Sequence, residues 1–123
     1  MPHRLLLVED DPAMSAMFAL GLRQAGYQVQ VTENGASALQ ALRTEAHDLV
    51  LLDVRMEGMD GIEVLEAMRA DPELRSTRVV MLSNYGEDAT VRACRERGAL
   101  DYVFKWTTTP RELAQTCVRW LLE

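Results

Sequence analysis

Three short segments of this chain, Leu5-Leu6-Leu7-Val8, Leu49-Val50-Leu51-Leu52 and Val79-Val80-Met81-Leu82, are apolar at every position. A strand with one wet face alternates polar and apolar residues. A run without alternation is expected of a strand buried on both faces, as in a parallel sheet covered by helices. Five strands are predicted, over Arg4–Val8, Gln28–Thr32, Leu49–Asp53, Arg78–Ser83 and Tyr102–Phe104. The second alternates (Val29, Gln30, Val31) and reads as an edge strand.

Helix signals lie between the runs. Asp11 followed by Pro12 is an N-cap with a first-turn proline, and Met14, Met17, Phe18 and Leu22 follow at helical spacing. Asn34 is placed to cap a helix over 35–45. Asp60-Gly61-Ile62-Glu63 opens a third helix that ends near Asp71-Pro72. Thr109-Pro110-Arg111-Glu112 is a capping-box start for a last helix carrying Leu113, Cys117, Trp120 and Leu121. Gly26 and Gly98 suit helix C-termini. Strands alternating with helices imply a parallel sheet with helices on both faces. The 123 residues fit one domain, expected to run over 1–123, large enough to bury a core.

Composition removes several function classes. Thirteen Lys and Arg against nineteen Asp and Glu leave a net charge of −6, which argues against sequence-independent binding to DNA. No apolar run approaches a membrane span, and the acids at 9–11 interrupt what would be a signal peptide, so a cytoplasmic protein is expected. Cys94 and Cys117 read as buried thiols in a reducing compartment, and the seven methionines as core filler. His3 and His47 share no ligand spacing with each other or with the cysteines.

In parallel α/β sheets ligands bind outside the carboxyl ends of the strands, at the switch point of strand order. The first run ends in Glu9-Asp10-Asp11, the third in Asp53, the fourth in Ser83, and the fifth runs out at Lys105. Clustered carboxylates repel, and a hard cation such as Mg²⁺ with oxygen ligands relieves that repulsion. An amine and a hydroxyl beside them suit a phosphoryl group, which an aspartate carboxylate can accept as an acyl phosphate. Asp11 and Asp60 are better read as helix caps than as part of this cluster.

The strings LLLVEDDP, LVLLDVRMEGMDGIEVL, VVMLSN and GALDYVFKW, in this order, resemble the receiver domain of bacterial two-component response regulators. The resemblance covers essentially the whole chain. It implies a flavodoxin-like three-layer (βα)5 fold with a five-stranded parallel sheet in the order 2-1-3-4-5. It implies Asp53 as the phosphoacceptor and Mg²⁺, replaceable by Mn²⁺, held by Asp10, by Glu9 mainly through a water, by Asp53 and by the backbone carbonyl of Arg55. Ser83 and Lys105 would contact phosphoryl oxygens. Tyr102 matches the aromatic that turns inward when the hydroxyl residue is drawn to the phosphate, reshaping the face of the fourth helix, fifth strand and last helix. A downstream target, or a second copy in a homodimer, would dock there. The donor would be a sensor histidine kinase or a phosphotransfer protein. The domain itself would bind neither nucleic acid nor membrane, and would turn over no external substrate.

The chain departs from the family pattern in places. The family usually has proline after the lysine, often with a cis bond; here Trp106 stands there, and a trans bond is expected because a non-proline cis bond costs about 2.5–4 kcal/mol. Glu57 replaces the proline of the family's Met-Pro-Gly. Arg55 and Tyr85 occupy positions that line the site entrance in the family and tune dephosphorylation. Arg55 is expected to pair with Glu9 or the phosphoryl group, or to remain solvated; Tyr85 is expected to screen the acyl phosphate from water. Trp106 and Trp120 mark a binding face or, for Trp120, packing. The alternative to a phosphorylatable receiver is a pseudo-receiver that switches partners without phosphate. A haloacid-dehalogenase-type hydrolase wants a second Asp where Arg55 stands, and a flavodoxin wants a hydroxyl-rich loop where Glu9-Asp10-Asp11 stands.

Overall fold

The computed structural model describes residues Pro2–Glu123; Met1, one of the seven methionines, lies outside the described residues. The elements run β1 (Arg4–Val8), α1 (Pro12–Gln24), β2 (Gln28–Thr32), α2 (Gly35–Thr44), β3 (Leu49–Leu52), α3 (Gly61–Ala70), β4 (Val79–Ser83), α4 (Asp88–Glu96), β5 (Asp101–Phe104), a 3-10 turn (Lys105–Thr107) and α5 (Pro110–Leu122). The sheet has the order β2-β1-β3-β4-β5 and every pairing is parallel. This is the flavodoxin-like order, with β2 at one edge.

The apolar runs form the buried strands because each face meets a different helix layer. Leu6, Val8, Val50, Leu52, Val79 and Met81 pack with Leu39 of α2, Val64 and Met68 of α3 and Cys94 of α4. Leu5, Leu7, Leu49, Leu51, Val80 and Leu82 pack with Phe18 and Leu22 of α1 and Leu113, Cys117 and Trp120 of α5. Each such leucine contributes roughly 1.5–3 kcal/mol of burial, so the central strands dominate the stability of the sheet. Both cysteines are buried and free. Met56, Met68 and Met81 are core residues, whereas Met17 is 44% exposed and is not filler.

Caps set the helix starts. Asp11 accepts from the N–H groups of Ala13 and Met14, and Asn34 from that of Ser37. Asp60 and Glu63 form a reciprocal capping box. Thr109 accepts from Glu112 N–H, which is half of such a box. Gly26 (φ 98°) and Gly98 (φ 85°) take the left-handed backbone that ends α1 and α4. Differences from the sequence reading are small: β3 stops at Leu52, β4 starts at Val79, β5 starts at Asp101 and α2 ends at Thr44. Asp101 joins β5 by pairing with Val80. Helix α4, whose start carries no sequence signal, has no side-chain cap and buries only Cys94. Among the described residues no helix is long and apolar enough to cross a membrane.

Candidate phosphoryl and metal site

The chain passes from β1 to β2 on one side and returns to β3 on the other, so strand order reverses at β1 and β3. The carboxyl ends of these two strands open a cleft of about 410 Å³ lined by Glu9, Asp10, Asp53, Arg55, Tyr85 and Lys105, among others. Asp53 follows Leu52 directly, and its N–H still donates to Val8 O at 3.1 Å, which holds it beside the end of β1. Glu9 is held likewise from the other edge, its N–H donating to Thr32 O at 3.0 Å. One carboxylate oxygen from each of Glu9, Asp10 and Asp53 falls within 4.8 Å of the others. Glu9 and Asp53 are buried at 2% and 4% exposure, while Asp10 is exposed.

Lys105 enters from the end of β5. Its ammonium donates to Asp53 Oδ2 at 2.9 Å and pairs with Glu9 Oε1. The 3-10 turn begins at this residue and no described peptide bond is cis, so Lys105 reaches the acids through a trans bond to Trp106. Burial raises the Glu9 carboxyl, against the lowering effect of its bonds to Lys105 and Asp11 N–H. Burial pulls the Lys105 ammonium down, but its bonds to Glu9 and Asp53 outweigh it and the net shift is upward. One acid oxygen has no such compensation: Asp53 Oδ1 is buried without a hydrogen-bond partner among the described residues. An all-oxygen set with two buried carboxylates and an orphaned oxygen fits a hard divalent cation.

Ser83 is fully buried at the end of β4, and its Oγ accepts from Tyr85 N–H at 3.2 Å. Tyr102 is buried with its ring turned inward; its hydroxyl donates to Tyr85 O, and its ring lies 5.4 Å from that of Phe104. Arg55 is not paired with Glu9, whose oxygens are engaged by Lys105 and by Asp11 N–H. Its guanidinium carbon sits 4.0 Å from the centroid of the Tyr85 ring instead. Trp106 is 74% exposed, whereas Trp120 is core and donates its Nε1–H to Asp101. Met14, read from the sequence only as part of a helix face, and Met56 and Asn84, given no site role, also line the cleft; only proximity in space reveals this. A larger concavity of about 680 Å³ between α1 and α5 gathers no cluster of acids.

Fold and cleft together define a receiver. The sequence model of the response regulator receiver domain matches residues 5–117, and the chain belongs to that family, a family of two-component signalling proteins. It is 40% identical over 113 residues to the DNA-binding response regulator MtrA of Mycolicibacterium smegmatis, covering 92% of this chain and 48% of that protein. The chain thus spans about half the length of this relative. Among solved structures, chemotaxis protein CheY4 of Vibrio cholerae superimposes with a TM-score of 0.89 at 26% identity, covering 97% of this chain and 98% of the other. The Mn²⁺-bound form of response regulator Rcp1 does so with a TM-score of 0.85 at 25% identity, covering 98% and 95%.

Proposed function

We propose that residues 1–123 act as a phosphorylatable receiver in which Asp53 accepts a phosphoryl group from a phosphohistidine of a sensor kinase or phosphotransfer protein. The observation that carries this reading is the asymmetry of Asp53: Oδ2 is held by Lys105, while Oδ1 is buried, unpartnered and set among the oxygens of Glu9 and Asp10. A buried carboxylate oxygen left without a partner is costly unless something binds there.

A carboxylate oxygen of Asp53 attacks phosphorus in line, and the bond from phosphorus to the donor imidazole nitrogen breaks. Lys105 holds the Asp53 carboxylate in place and offsets charge on the transferring group. Ser83, whose Oγ accepts from Tyr85 N–H, has a hydroxyl proton that it would turn toward a phosphoryl oxygen. Mg²⁺ or Mn²⁺, held by Glu9, Asp10, Asp53 and the Arg55 carbonyl, would supply positive charge against the phosphoryl oxygens. The Mn²⁺-bound relative supports that assignment. The product is a conformational switch rather than a released product, so the chain is not a turnover enzyme on an external substrate. Ser83 and Tyr102 would report the phosphoryl group to the face of α4, β5 and α5, where a partner or a second copy docks. MtrA is a DNA-binding response regulator of about twice the matched length; if this chain likewise belongs to a longer protein, the remainder would carry any DNA binding. A cytoplasmic site of action follows from this role.

Trp106, in place of the family's proline, is the departure that would favour the phosphate-independent alternative. That alternative loses ground because Lys105 contacts Asp53 across the trans bond. The test is incubation with phosphoramidate and Mg²⁺, followed by intact-mass measurement and borohydride trapping of the acyl phosphate. One phosphoryl group on Asp53, absent in Asp53→Asn and in EDTA, is expected. An unmodified wild-type chain would contradict the proposal.

A further inference from the structure

A second concavity, of about 400 Å³, lies at the amino ends of β4 and β5, the opposite end of the sheet from the Asp53 cleft. Arg69, Arg75, Ser76, Thr77, Arg78 and Glu123 are among the residues that line it. Three arginines against one glutamate leave a local excess of two positive charges, in a chain whose net charge is −6. None of the three arginines pairs with a side-chain carboxylate among the described residues. Two acids of the same stretch are taken by other arginines, Glu66 by Arg97 and Asp71 by Arg43.

The walls of this cleft have spent their acceptors. Arg69 Nε–H donates to Arg97 O at 2.9 Å, one terminal nitrogen to Thr77 O at 2.9 Å and Arg75 O at 3.0 Å, and the other to Gly98 O at 3.1 Å. Gly98 permits that approach, since a Cβ there would stand 3.1 Å from Arg69 Nε. Arg78 Nε–H donates to Glu123 O at 2.7 Å. Two guanidiniums are thus fixed by backbone carbonyls, and those carbonyls no longer face an incoming anion. Donors remain on the lining: the rest of the Arg78 fork, the Arg75 guanidinium and the hydroxyls of Ser76 and Thr77. Burial lowers the Arg69 guanidinium from its ordinary value with no acid to offset it, yet an arginine keeps its charge. A lining rich in positioned guanidiniums and poor in acceptors suits an anion with several oxygens.

We propose that this cleft is a binding site for a compact polyphosphate anion, with a pyrophosphate group as the unit recognised. A singly charged anion would leave part of the excess charge unmatched. A phosphate chain presents oxygens to Arg75, which follows the end of α3, and to Arg78, which precedes β4, at the same time. The volume falls within the roughly 300–1,000 Å³ of small-ligand sites. Free pyrophosphate and the diphosphate of a nucleotide share this chemistry. The site is separate from the acids at Glu9, Asp10 and Asp53, which repel anions in the metal-free protein, and its existence does not depend on the role of Asp53.

The experiment titrates isotope-labelled protein, freed of metal on a chelating resin, with pyrophosphate at constant ionic strength while amide NMR shifts are followed. Saturable shifts centred on residues 75–78 and 98–100 are expected. Arg75→Gln and Arg78→Gln are each expected to weaken binding about tenfold or more, the factor to which one hydrogen bond to a charged group converts. Arg75→Gln keeps the backbone carbonyl that Arg69 holds, and Arg75 is exposed, so this variant decides the matter if Arg78→Gln, which loses the bond to Glu123 O, does not fold. Arg92→Gln removes an exposed arginine of α4 outside the cleft and is expected to bind as wild type does, which separates a site from a general effect of net charge. A parallel titration with ADP distinguishes the sources: a half-point lower than that of pyrophosphate assigns the site to a nucleotide, and one no lower assigns it to the free inorganic anion. Shifts that rise without saturating, that spread evenly over arginines elsewhere on the surface, or that keep wild-type affinity in Arg75→Gln would overturn the proposal.

Discussion

Replacing Lys105 with methionine tests whether the ammonium sits where the trans Lys105–Trp106 bond puts it. Its side chain is 7% exposed, between Glu9 and Asp53 side chains at 2% and 6%. Methionine keeps the length and apolar stem but removes the charge, leaving two buried carboxylates facing each other. Breaking a buried ion pair by deleting one partner costs about 3–5 kcal/mol. A domain of this size shifts its midpoint by about 4 °C per kcal/mol, so Lys105→Met should melt about 12–20 °C below wild type. Circular dichroism melts at pH about 7.5 in EDTA provide the assay. The gap should narrow as pH is lowered toward about 5: Glu9, already raised by burial, takes a proton in the folded state before the unfolded one and so relieves the repulsion. Mg²⁺ should narrow it as well, by replacing the lost positive charge. A variant as stable as wild type in EDTA would refute the reasoning, since it would mean that the ammonium is not holding the two acids together.

Other positions carry separate expectations. Gly61 lies against the Asp53 backbone, and an added Cβ would meet the Asp53 carbonyl inside van der Waals contact; Gly61→Ala should cost about 1–3 kcal/mol in urea unfolding and slow phosphorylation of Asp53. Arg69 donates to the carbonyls of Arg97, Arg75, Thr77 and Gly98, tying α3 to the loops at the far end of the sheet, and Arg69→Met should cost about 2–3 kcal/mol while leaving phosphorylation intact. Burial pushes the Cys117 thiol up to about 12 from 9.0. Because the unfolded thiol ionises first, stability should be unaffected below pH 9.0 and fall by at most about 1.4 kcal/mol per pH unit above it, a slope that Cys117→Ala should lack.

The parts of the fold legible in the sequence are those whose physics is local. Leu5–Val8, Leu49–Leu52 and Val79–Leu82 had to be covered on both faces, and the caps at Asp11, Asn34, Asp60 and Thr109 marked helix starts before any contact was known. The strand-end rule then brought Glu9, Asp10, Asp53, Ser83 and Lys105 to one edge, though the strand order came with the family resemblance. Helix α4 was the least legible element, because one buried residue and an uncapped start leave almost no periodic signal. The stacking of Arg55 on Tyr85 was out of reach for a different reason. It depends on the gap between two loops and on Lys105 having already engaged Glu9, and neither is written in residue spacing. The inward rotamer of Tyr102 is equally a property of its neighbours Phe104 and Tyr85.

The central claim is that Asp53 receives a phosphoryl group and that Ser83 and Tyr102 respond to it. Beryllofluoride, which mimics the acyl phosphate, tests this when added with Mg²⁺ to isotope-labelled protein while amide NMR shifts are followed. Saturable shifts at Asp53, Ser83 and Tyr102 that spread into α4 and β5, absent in Asp53→Asn and without Mg²⁺, are the predicted result. Unchanged spectra at millimolar reagent would contradict it and return the chain to a phosphate-independent role.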